Sequence, residues 1–430
     1  MKIITNPAEE IWADLLKRPA QDFESLQKIV TPILEEVKKN GDAAIKKYSA
    51  KFDGVDLNDF KVSEKELNRA EDLVDPNLKS KIQTAFTNIK KFHAAQNFEP
   101  QKVETIPEVI CWWEYKAINS VGLYIPGGSA PLFSTVLMLG IPALLANCPN
   151  KLLCTPCQKD GTVHPAILYS ARICGINQIY KIGGAQAIAA MAYGTYSVPK
   201  VDKIFGPGNA YVTVAKQLVQ MQGVAIDMPA GPSEIAVIAD KSANPAFIAA
   251  DVLAQAEHGA DSQVVVFTDQ KSLGEKLVKS VNKQKQQFSR HNLIDPVIKN
   301  SKVFVFDTLS KAIAMANFFA AEHLSIMIEN PDLALDTINN AGSVFIGDFT
   351  PVAAGDYASG TNHTLPTSGF ARSYSGVSVN CFFKRITYQQ ISEQGIKNIG
   401  PTIETLAAAE TLEAHKESVS IRLDYLKEKE

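Results

Sequence analysis

Cysteine is scarce in this sequence, with six residues among 430 and no regular spacing between them. Small domains that depend on disulfides carry many closely spaced cysteines, so a disulfide framework is excluded and a reducing compartment is favoured. Cys154 and Cys157 do form one Cys-x-x-Cys pair. No second pair lies at the spacing of a zinc ribbon, and we therefore expect incidental burial of these two side chains.

Long apolar runs and blocks of one charge sign are also lacking. The most apolar stretch, residues 136–146, is too short for a membrane span and is interrupted by Pro142. The 43 Lys and Arg nearly balance the 46 Asp and Glu, which predicts no nucleic-acid or membrane partner. Residues 1–17 lack the basic start and apolar run of a signal peptide, so we expect a cytoplasmic protein.

The length of 430 residues exceeds what one hydrophobic core usually supports and predicts about three units. Helical periodicity dominates up to residue 97 and returns over 385–425, where Pro401 predicts a helix start. Between them, apolar β-rich runs alternate with amphipathic segments, which is typical of βαβ units and parallel sheets. The predicted strands fall in two series: 120–125, 151–155, 178–182 and 224–226, then 234–239, 263–268, 302–307, 325–328 and 343–346.

Ligands of parallel sheets usually bind beyond the carboxyl ends of the strands, so polar turns there are the candidate sites. The first candidate lies near the end of a helix that Asn244 and Pro245 begin and Gly259 ends. Gln255 and His258 are three residues apart, so both side chains could reach one metal ion from one helix face. A solvated helix end remains an alternative for this segment.

Two further segments offer proton acceptors. Glu322 and His323 are adjacent at a predicted helix end just before a strand, and such groups suit general base catalysis. The predicted loop 355–363 follows, in which Asp356 could bind a metal and His363 a substrate group. A surface pair and a plain connecting loop are the structural alternatives.

Glycine-rich turns and the C-terminal tail complete the candidates. None of the turns has the Gly-x-Gly-x-x-Gly dinucleotide fingerprint, so spacing alone does not establish NAD binding. Glu410 and His415 would be offset by about 140° on one helix, so they reach one site only if the helix ends between them. Histidine, aspartate and glutamine side chains suit zinc, with manganese or cobalt as alternatives. The turns are 124–129, 183–186, 206–209 and 230–233.

Long ordered motifs in this chain resemble those of the histidinol dehydrogenase family. Coverage is recognisable from about residue 20 to the end, and a departure is Cys157, where proline is more usual in the family. The matching strings are YIPGGSAPLFSTVLM, GGAQAIAA, VPKVDKIFGPGNAYV, IDMPAGPSEIAVIAD, QAEHGADSQV, AEHL, AGDYASGTNHTLPT and TIETLAAAETLEAHK.

The resemblance implies an α/β fold with two incomplete Rossmann-like domains, small helical N- and C-terminal parts, and an intertwined homodimer. It implies a helical segment over 1–20, a catalytic and metal-binding domain over 21–123 and 234–380, an NAD-binding domain over 124–233, and a C-terminal helical domain over 381–430 that reaches the partner subunit. The implied activity is the NAD-dependent, zinc-dependent oxidation of histidinol through its aldehyde to histidine.

The resemblance also implies roles for individual residues. Glu322 and His323 would be catalytic, with His323 accepting protons and Glu322 activating water for the aldehyde step. The implied zinc ligands are Gln255, His258, Asp356 and, from the partner subunit, His415; these four would also hold the substrate with Ser233, His323, His363 and the partner's Glu410. The implied NAD contacts are Tyr124, Gln186 and Asn209.

Three other functions stay open on the sequence. A metal beside a glutamate and a histidine could equally activate water in a zinc hydrolase. A paralogue could oxidise a different amino alcohol, and a metal-binding scaffold could use the same α/β units without catalysis.

Overall fold

The computed structural model describes residues 1–18, 22–96, 99–127, 130–229 and 231–429. Three residues of the predicted glycine-rich turns, Gly128, Ser129 and Ala230, lie outside this range. The described strands, numbered along the chain, are β1 (Lys2–Thr5), β2 (Val103–Ile106), β3 (Val109–Ala117), β4 (Ser120–Tyr124), β5 (Asn150–Thr155), β6 (Gln178–Lys181), β7 (Lys203–Phe205), β8 (Ala225–Ile226), β9 (Glu234–Ala239), β10 (Gln263–Thr268), β11 (Lys302–Val305), β12 (His323–Met327), β13 (Ser343–Ile346) and β14 (Phe383–Ile391).

The helices are numbered in the same way. They are α1 (Trp12–Leu15), α2 (Phe23–Asn40), α3 (Asp42–Phe52), α4 (Glu64–Leu73), α5 (Pro76–Ala94), α6 (Phe133–Leu145), α7 (Pro165–Ile173), α8 (Gly184–Tyr193), α9 (Ala210–Gln220), α10 (Pro245–Ala256), α11 (Lys271–Gln284), α12 (His291–Asn300), α13 (Leu309–Phe319), α14 (Asp332–Leu335), α15 (Val352–Tyr357), α16 (Glu393–Ala409) and α17 (Glu413–Glu428).

The chain forms two compact units, one of residues Met1–Gln96 and Ile118–Phe382 and one of Asn97–Ala117 and Phe383–Glu430. The larger unit contains two parallel sheets. One has six strands in the order β1-β11-β10-β9-β12-β13, and the other has five in the order β6-β5-β4-β7-β8. The predicted α/β class with parallel-rich sheets is therefore confirmed.

The cores follow from strands with two buried faces. Every residue of β9 is buried, and this strand contains the run Ile-Ala-Val-Ile-Ala. Strands covered by helices on both faces need such continuous apolar runs, which is why the sequence predicted them well. Helices α2 and α3 pack on α8 and α9 in the core of the five-stranded sheet. The domain boundaries given above stay a prediction.

The smaller unit is an antiparallel sheet in the order β14-β3-β2 together with the helical pair α16 and α17. Here the prediction of a helical stretch over 385–425 was wrong in part. Residues of β14 pair along their whole length with β3, and Tyr388 stacks on Trp112 at 5.3 Å between ring centroids. Pro401 lies inside α16, because Ser392 begins that helix earlier by accepting a hydrogen bond from the Gly395 N–H.

No helix in the described ranges combines the length and apolar character needed to cross a bilayer. All six cysteines are free thiols, which confirms the absence of a disulfide framework. Cys154 is buried at the end region of β5, whereas Cys157 is only partly buried.

Candidate functional site

The first group of candidate residues meets at the amino ends of strands in the six-stranded sheet. Glu234 begins β9 and His323 begins the neighbouring β12. Helix α10 runs back from the end of β9, so its last turn, with Gln255, lies toward this same edge. The expectation that these candidate residues follow the carboxyl ends of strands is therefore wrong for this sheet, because they lie at its amino edge.

Local structure differs from the prediction at three of these residues. Helix α13 ends at Phe319, because Ala320 adopts a left-handed conformation with φ of 55°, so His323 belongs to a strand. Asp356 lies on the short helix α15 and not in a loop. His258 follows the end of α10 at Ala256, so it does not share a regular helix face with Gln255.

The imidazole of His323 is buried and is held by a hydrogen bond at Nδ1. Its Nδ1 lies 3.1 Å from the carbonyl oxygen of Glu234, which can only accept, so Nδ1 carries a proton. Its Nε2 lies 3.5 Å from Asp356 Oδ1 without an aligned hydrogen bond. In the neutral imidazole, Nε2 is therefore the atom with a free lone pair, facing Asp356.

Glu322 is also buried, and its carboxylate contacts the Glu234 N–H and the His323 ring. Its Oε2 accepts a hydrogen bond of 2.8 Å from the Glu234 N–H and lies 3.4 Å from His323 Nδ1. Glu322 and His323 are adjacent in sequence, and the side chains of both form hydrogen bonds with the backbone of Glu234. Ser233 directly precedes this anchor, at the start of β9.

Charge balance in this cluster shifts several pKa values. Burial alone would lower the pKa of His323, but the carboxylates of Glu322 and Asp356 outweigh it and raise this pKa to about 10. Burial would raise the pKa of Asp356, but the neighbouring His323, His363 and His258 lower it. The site without a bound cation thus stabilises an imidazolium beside a carboxylate.

His363 links this cluster to α6. Its Nδ1 donates to the Asp356 carbonyl oxygen at 2.9 Å, and its Nε2 lies 3.2 Å from Thr135 Oγ1. Burial lowers the pKa of His363, which favours a neutral ring that accepts from the Thr135 hydroxyl. Both ring nitrogens are engaged, so this side chain is fixed in orientation.

The predicted metal ligands fall in both compact units of the chain. Among the described residues, no three or more His, Cys, Asp and Glu side chains form a metal-binding group. The buried amide of Gln255 has no hydrogen-bond partner for its Nε2, and His258 is exposed. Glu410 and His415 are both exposed in the smaller unit, where Glu410 caps α16 and His415 lies in the first turn of α17. The helix therefore ends between them, as a shared site would require.

The second group of candidates lines a cavity of about 820 Å³ at the carboxyl edge of the five-stranded sheet. Tyr124 ends β4, Gln186 lies in the first turn of α8, and Asn209 caps α9 by accepting from the Val212 N–H. The Tyr124 hydroxyl accepts from the Gly184 N–H at 3.0 Å. All three predicted cofactor contacts thus face one cavity.

Sequence reasoning missed the two charged residues that line this cavity, Lys159 and Asp53. Asp53 caps the carboxyl end of α3, and burial raises the pKa of its carboxyl group. Its Oδ2 lies 3.5 Å from Gln186 Nε2, whereas the buried Gln186 Oε1 has no partner among the described residues. No local signal marks Asp53, because only the packing of α3 against α8 brings it to the cavity.

Comparisons with known proteins agree with each other. A sequence model of the family Histidinol dehydrogenase matches residues 16–423. A histidinol dehydrogenase of Bacteroides thetaiotaomicron is 52% identical over 427 residues, 99% of this chain and 100% of the relative. One of Aliivibrio fischeri is 49% identical over 96% of this chain and 94% of the relative. The crystal structure of histidinol dehydrogenase from Elizabethkingia anophelis superposes with a TM-score of 0.97 at 52% identity, covering 99% of each chain.

Proposed function

This chain belongs to the histidinol dehydrogenase family, and we propose that it oxidises histidinol to histidine in two NAD-dependent steps at a zinc site completed by a second subunit. An oxidoreductase acting on histidinol in histidine biosynthesis follows from family membership. The observation that supports the chemistry is the pairing of His323 and Glu322 on the backbone of Glu234, with His323 Nε2 facing Asp356.

Gln255, His258 and Asp356 would hold the zinc ion together with His415 of the partner subunit. Their oxygen and nitrogen donors suit a borderline cation. Gln255 suits this role, because its buried Nε2 has no hydrogen-bond partner. Rotation of the side-chain amide by 180° would place the carbonyl oxygen there, where it could bind a cation. A single chain supplies only three of these ligands, which is consistent with the need for a second copy.

His323 is the proposed base of both steps. Since Nδ1–H is donated to the Glu234 carbonyl, Nε2 is the atom that takes the hydroxyl proton of the carbinol. When bound, zinc would supply positive charge beside the carbinol of histidinol. Substrate is further held by Ser233 and His363 and by the partner's Glu410.

Glu322 is proposed to act in the second step. An aldehyde has no hydroxyl hydrogen to lose until water adds to it, so a base must deprotonate that water. Glu322 lies beside His323 and can take this proton, after which His323 accepts the proton of the hydrated aldehyde. NAD, bound in the cavity with Tyr124, Gln186 and Asn209, would accept one hydride in each step.

The experiment measures how many NADH molecules are formed per histidine. Purified protein is incubated with histidinol and NAD, with and without a chelator, and NADH and histidine are quantified. Two NADH per histidine, lost on chelation and restored by zinc, support the proposal. Absence of NADH would favour a hydrolase or a scaffold, and NADH formation only with another amino alcohol would favour a paralogue.

A further inference from the structure

We propose that Arg18 is a positioning residue for this reaction, which orients Glu322 and His323 through the side chain and backbone of Glu234. The inference rests on the functions proposed above for Glu322 and His323. Arg18 itself touches neither of these side chains.

Arg18 and Glu234 form a two-point ion pair at the edge of the six-stranded sheet. Arg18 Nε lies 2.5 Å from Glu234 Oε1, and Arg18 Nη2 lies 2.9 Å from Glu234 Oε2. The Glu234 side chain is 1% exposed, whereas that of Arg18 is 18% exposed. A planar guanidinium that meets both carboxylate oxygens fixes angle as well as distance, which a lysine ammonium does not.

The same guanidinium holds the chain just before the catalytic pair. Arg18 Nη2 donates to the Phe319 carbonyl oxygen at 2.8 Å, and the guanidinium carbon lies 4.1 Å from the centre of the Phe319 ring. Phe319 ends α13, and the left-handed Ala320 follows. Arg18 therefore fastens the turn that leads into Glu322 and His323 to the start of β9.

Glu234 transmits this position to both catalytic groups. Its N–H donates to Glu322 Oε2 at 2.8 Å, and its carbonyl accepts from His323 Nδ1 at 3.1 Å. Its Oε1 also accepts from the Ser368 N–H at 3.0 Å. One residue thus sets the carboxylate of one proposed base and the tautomer of the other.

Loss of Arg18 would leave a buried carboxylate without its cation, beside the carboxylate of Glu322. A buried pair broken on one side is costly, whereas a pair replaced on both sides by neutral groups is often tolerated. The start of β9 would therefore shift in the Arg18→Met variant and carry both bases with it. A displacement of about 1 Å near reacting groups can cost about 100-fold in rate.

The test compares R18M, R18K, E234Q and the double variant R18M/E234Q. Arg372 offers a matched control, because it donates to the Phe318 carbonyl at the same helix end and lies 5.5 Å from the Phe318 ring. The R372M variant removes a cationic helix-end contact without touching Glu234. All variants are assayed for kcat and KM with histidinol and for thermal unfolding.

We expect R18M to lower kcat about 100-fold with little change in KM, R18K to lose less, and R372M to stay within about twofold of the wild type. In the double variant the loss should not exceed that of the worse single variant, because both substitutions break one connection. Losses that multiply, or a kcat of R18M that follows only its folded fraction, would overturn the proposal. If R18M does not fold, the kcat values of R18K and of R18M/E234Q, compared with that of E234Q, test the proposal.

A second readout is independent of turnover. In protein labelled with ¹⁵N in histidine, Nδ1 of His323 should carry a proton that is hydrogen-bonded to the Glu234 carbonyl oxygen in the wild type and in R372M. That signature should change in R18M and recover in R18K; an unchanged spectrum in R18M overturns the proposal. The wild-type NADH yield tests the proposed function separately, so the two failures are distinguishable.

Discussion

The two parallel sheets of the larger unit present their candidate residues at opposite edges. The five-stranded sheet uses its carboxyl edge, where Tyr124 ends β4 and α8 and α9 begin. The six-stranded sheet uses its amino edge, where β9 and β12 begin and α10 and α13 end. Helix N-termini attract anions and helix C-termini favour cations. The first edge thus suits the phosphates of a dinucleotide, and the second suits a metal ion or a cationic substrate.

The difference bears on the expectation that candidate residues lie beyond the carboxyl ends of strands, because those of the five-stranded sheet lie there and those of the six-stranded sheet do not. The rule that ligands bind beyond the carboxyl ends of parallel strands describes an edge where helices begin, as in the five-stranded sheet. It does not describe a site that gathers carboxylates and histidines around a positive charge. Asp356 and Glu322 form such a negative cluster at the amino edge, and there these two carboxylates raise the pKa of His323.

The largest expected effect is a loss of activity at the amino edge of the six-stranded sheet without a loss of NAD affinity at the five-stranded sheet. His323→Ala should lower the rate of both oxidation steps by about 10²- to 10⁴-fold, because the proton acceptor of each step is lost. The dissociation constant for NAD, measured by calorimetry, should stay unchanged. His291→Ala on α12 serves as the control and should retain wild-type rates. A weakened NAD affinity in His323→Ala would contradict the separation.

The largest loss of stability at the carboxyl edge of the five-stranded sheet is expected from a substitution that removes the support of the turn 206–209. Lys216 donates to the Gly206 carbonyl and pairs with Asp227, and both side chains are buried. Lys216→Met leaves the Asp227 charge unpaired and should lower the free energy of unfolding by about 3–5 kcal/mol, measured with urea. Zinc content of the folded fraction should be normal. Loss of zinc with intact stability would show that the edges are not independent.

The amino edge should depend on two chains. His258→Asn and His415→Asn should each lower zinc content, measured by elemental analysis, and activity. Mixing the two variants after dissociation should restore about a quarter of wild-type activity, since half of the dimers are mixed and each has one intact site. No restoration on mixing would place His415 in its own chain's site or outside the metal shell.

The smallest expected effect compares two helix caps. Asn209→Ala removes the cap of α9 at the cavity and should cost about 1 kcal/mol of stability and raise the KM for NAD. Asn244→Ala removes an equivalent cap of α10, where Asn244 accepts from the Ala246 N–H, and should cost similar stability without changing that KM. Equal changes in KM for both variants would argue against the cofactor role of Asn209.

Much of this fold was predictable where local sequence and tertiary environment agree. The apolar runs of β9 and β10 predict buried parallel strands, and Asn209 and Asn244 are the N-caps of α9 and α10. The edge strand β1 was not predicted, because its partner β11 lies about three hundred residues away in the chain. Its order comes from that pairing and not from its own four residues.

The candidate residues were predictable by type but not by placement. His323 was expected at a helix end because the left-handed Ala320 has no glycine to signal the earlier stop. Arg18 gave no signal at all, since its partner Glu234 is 216 residues away in sequence. The resemblance to a family supplied the roles of the site residues, which stay a prediction, whereas the contacts that hold those residues in place are visible only in three dimensions. The metal ligand set, the contribution of site residues by a partner subunit and the cytoplasmic location stay predictions.

The most direct test of the central claim is a single-turnover measurement with Glu322→Gln, excess enzyme, histidinol and NAD. We expect a first hydride at nearly the wild-type rate, one NADH per histidinol, and a bound aldehyde that an added hydrazine traps. The second hydride should be slower by about 100-fold or more. Equal slowing of both hydrides, or histidine formed at the wild-type rate, would contradict the assignment of Glu322 and His323 to separate tasks at the amino edge.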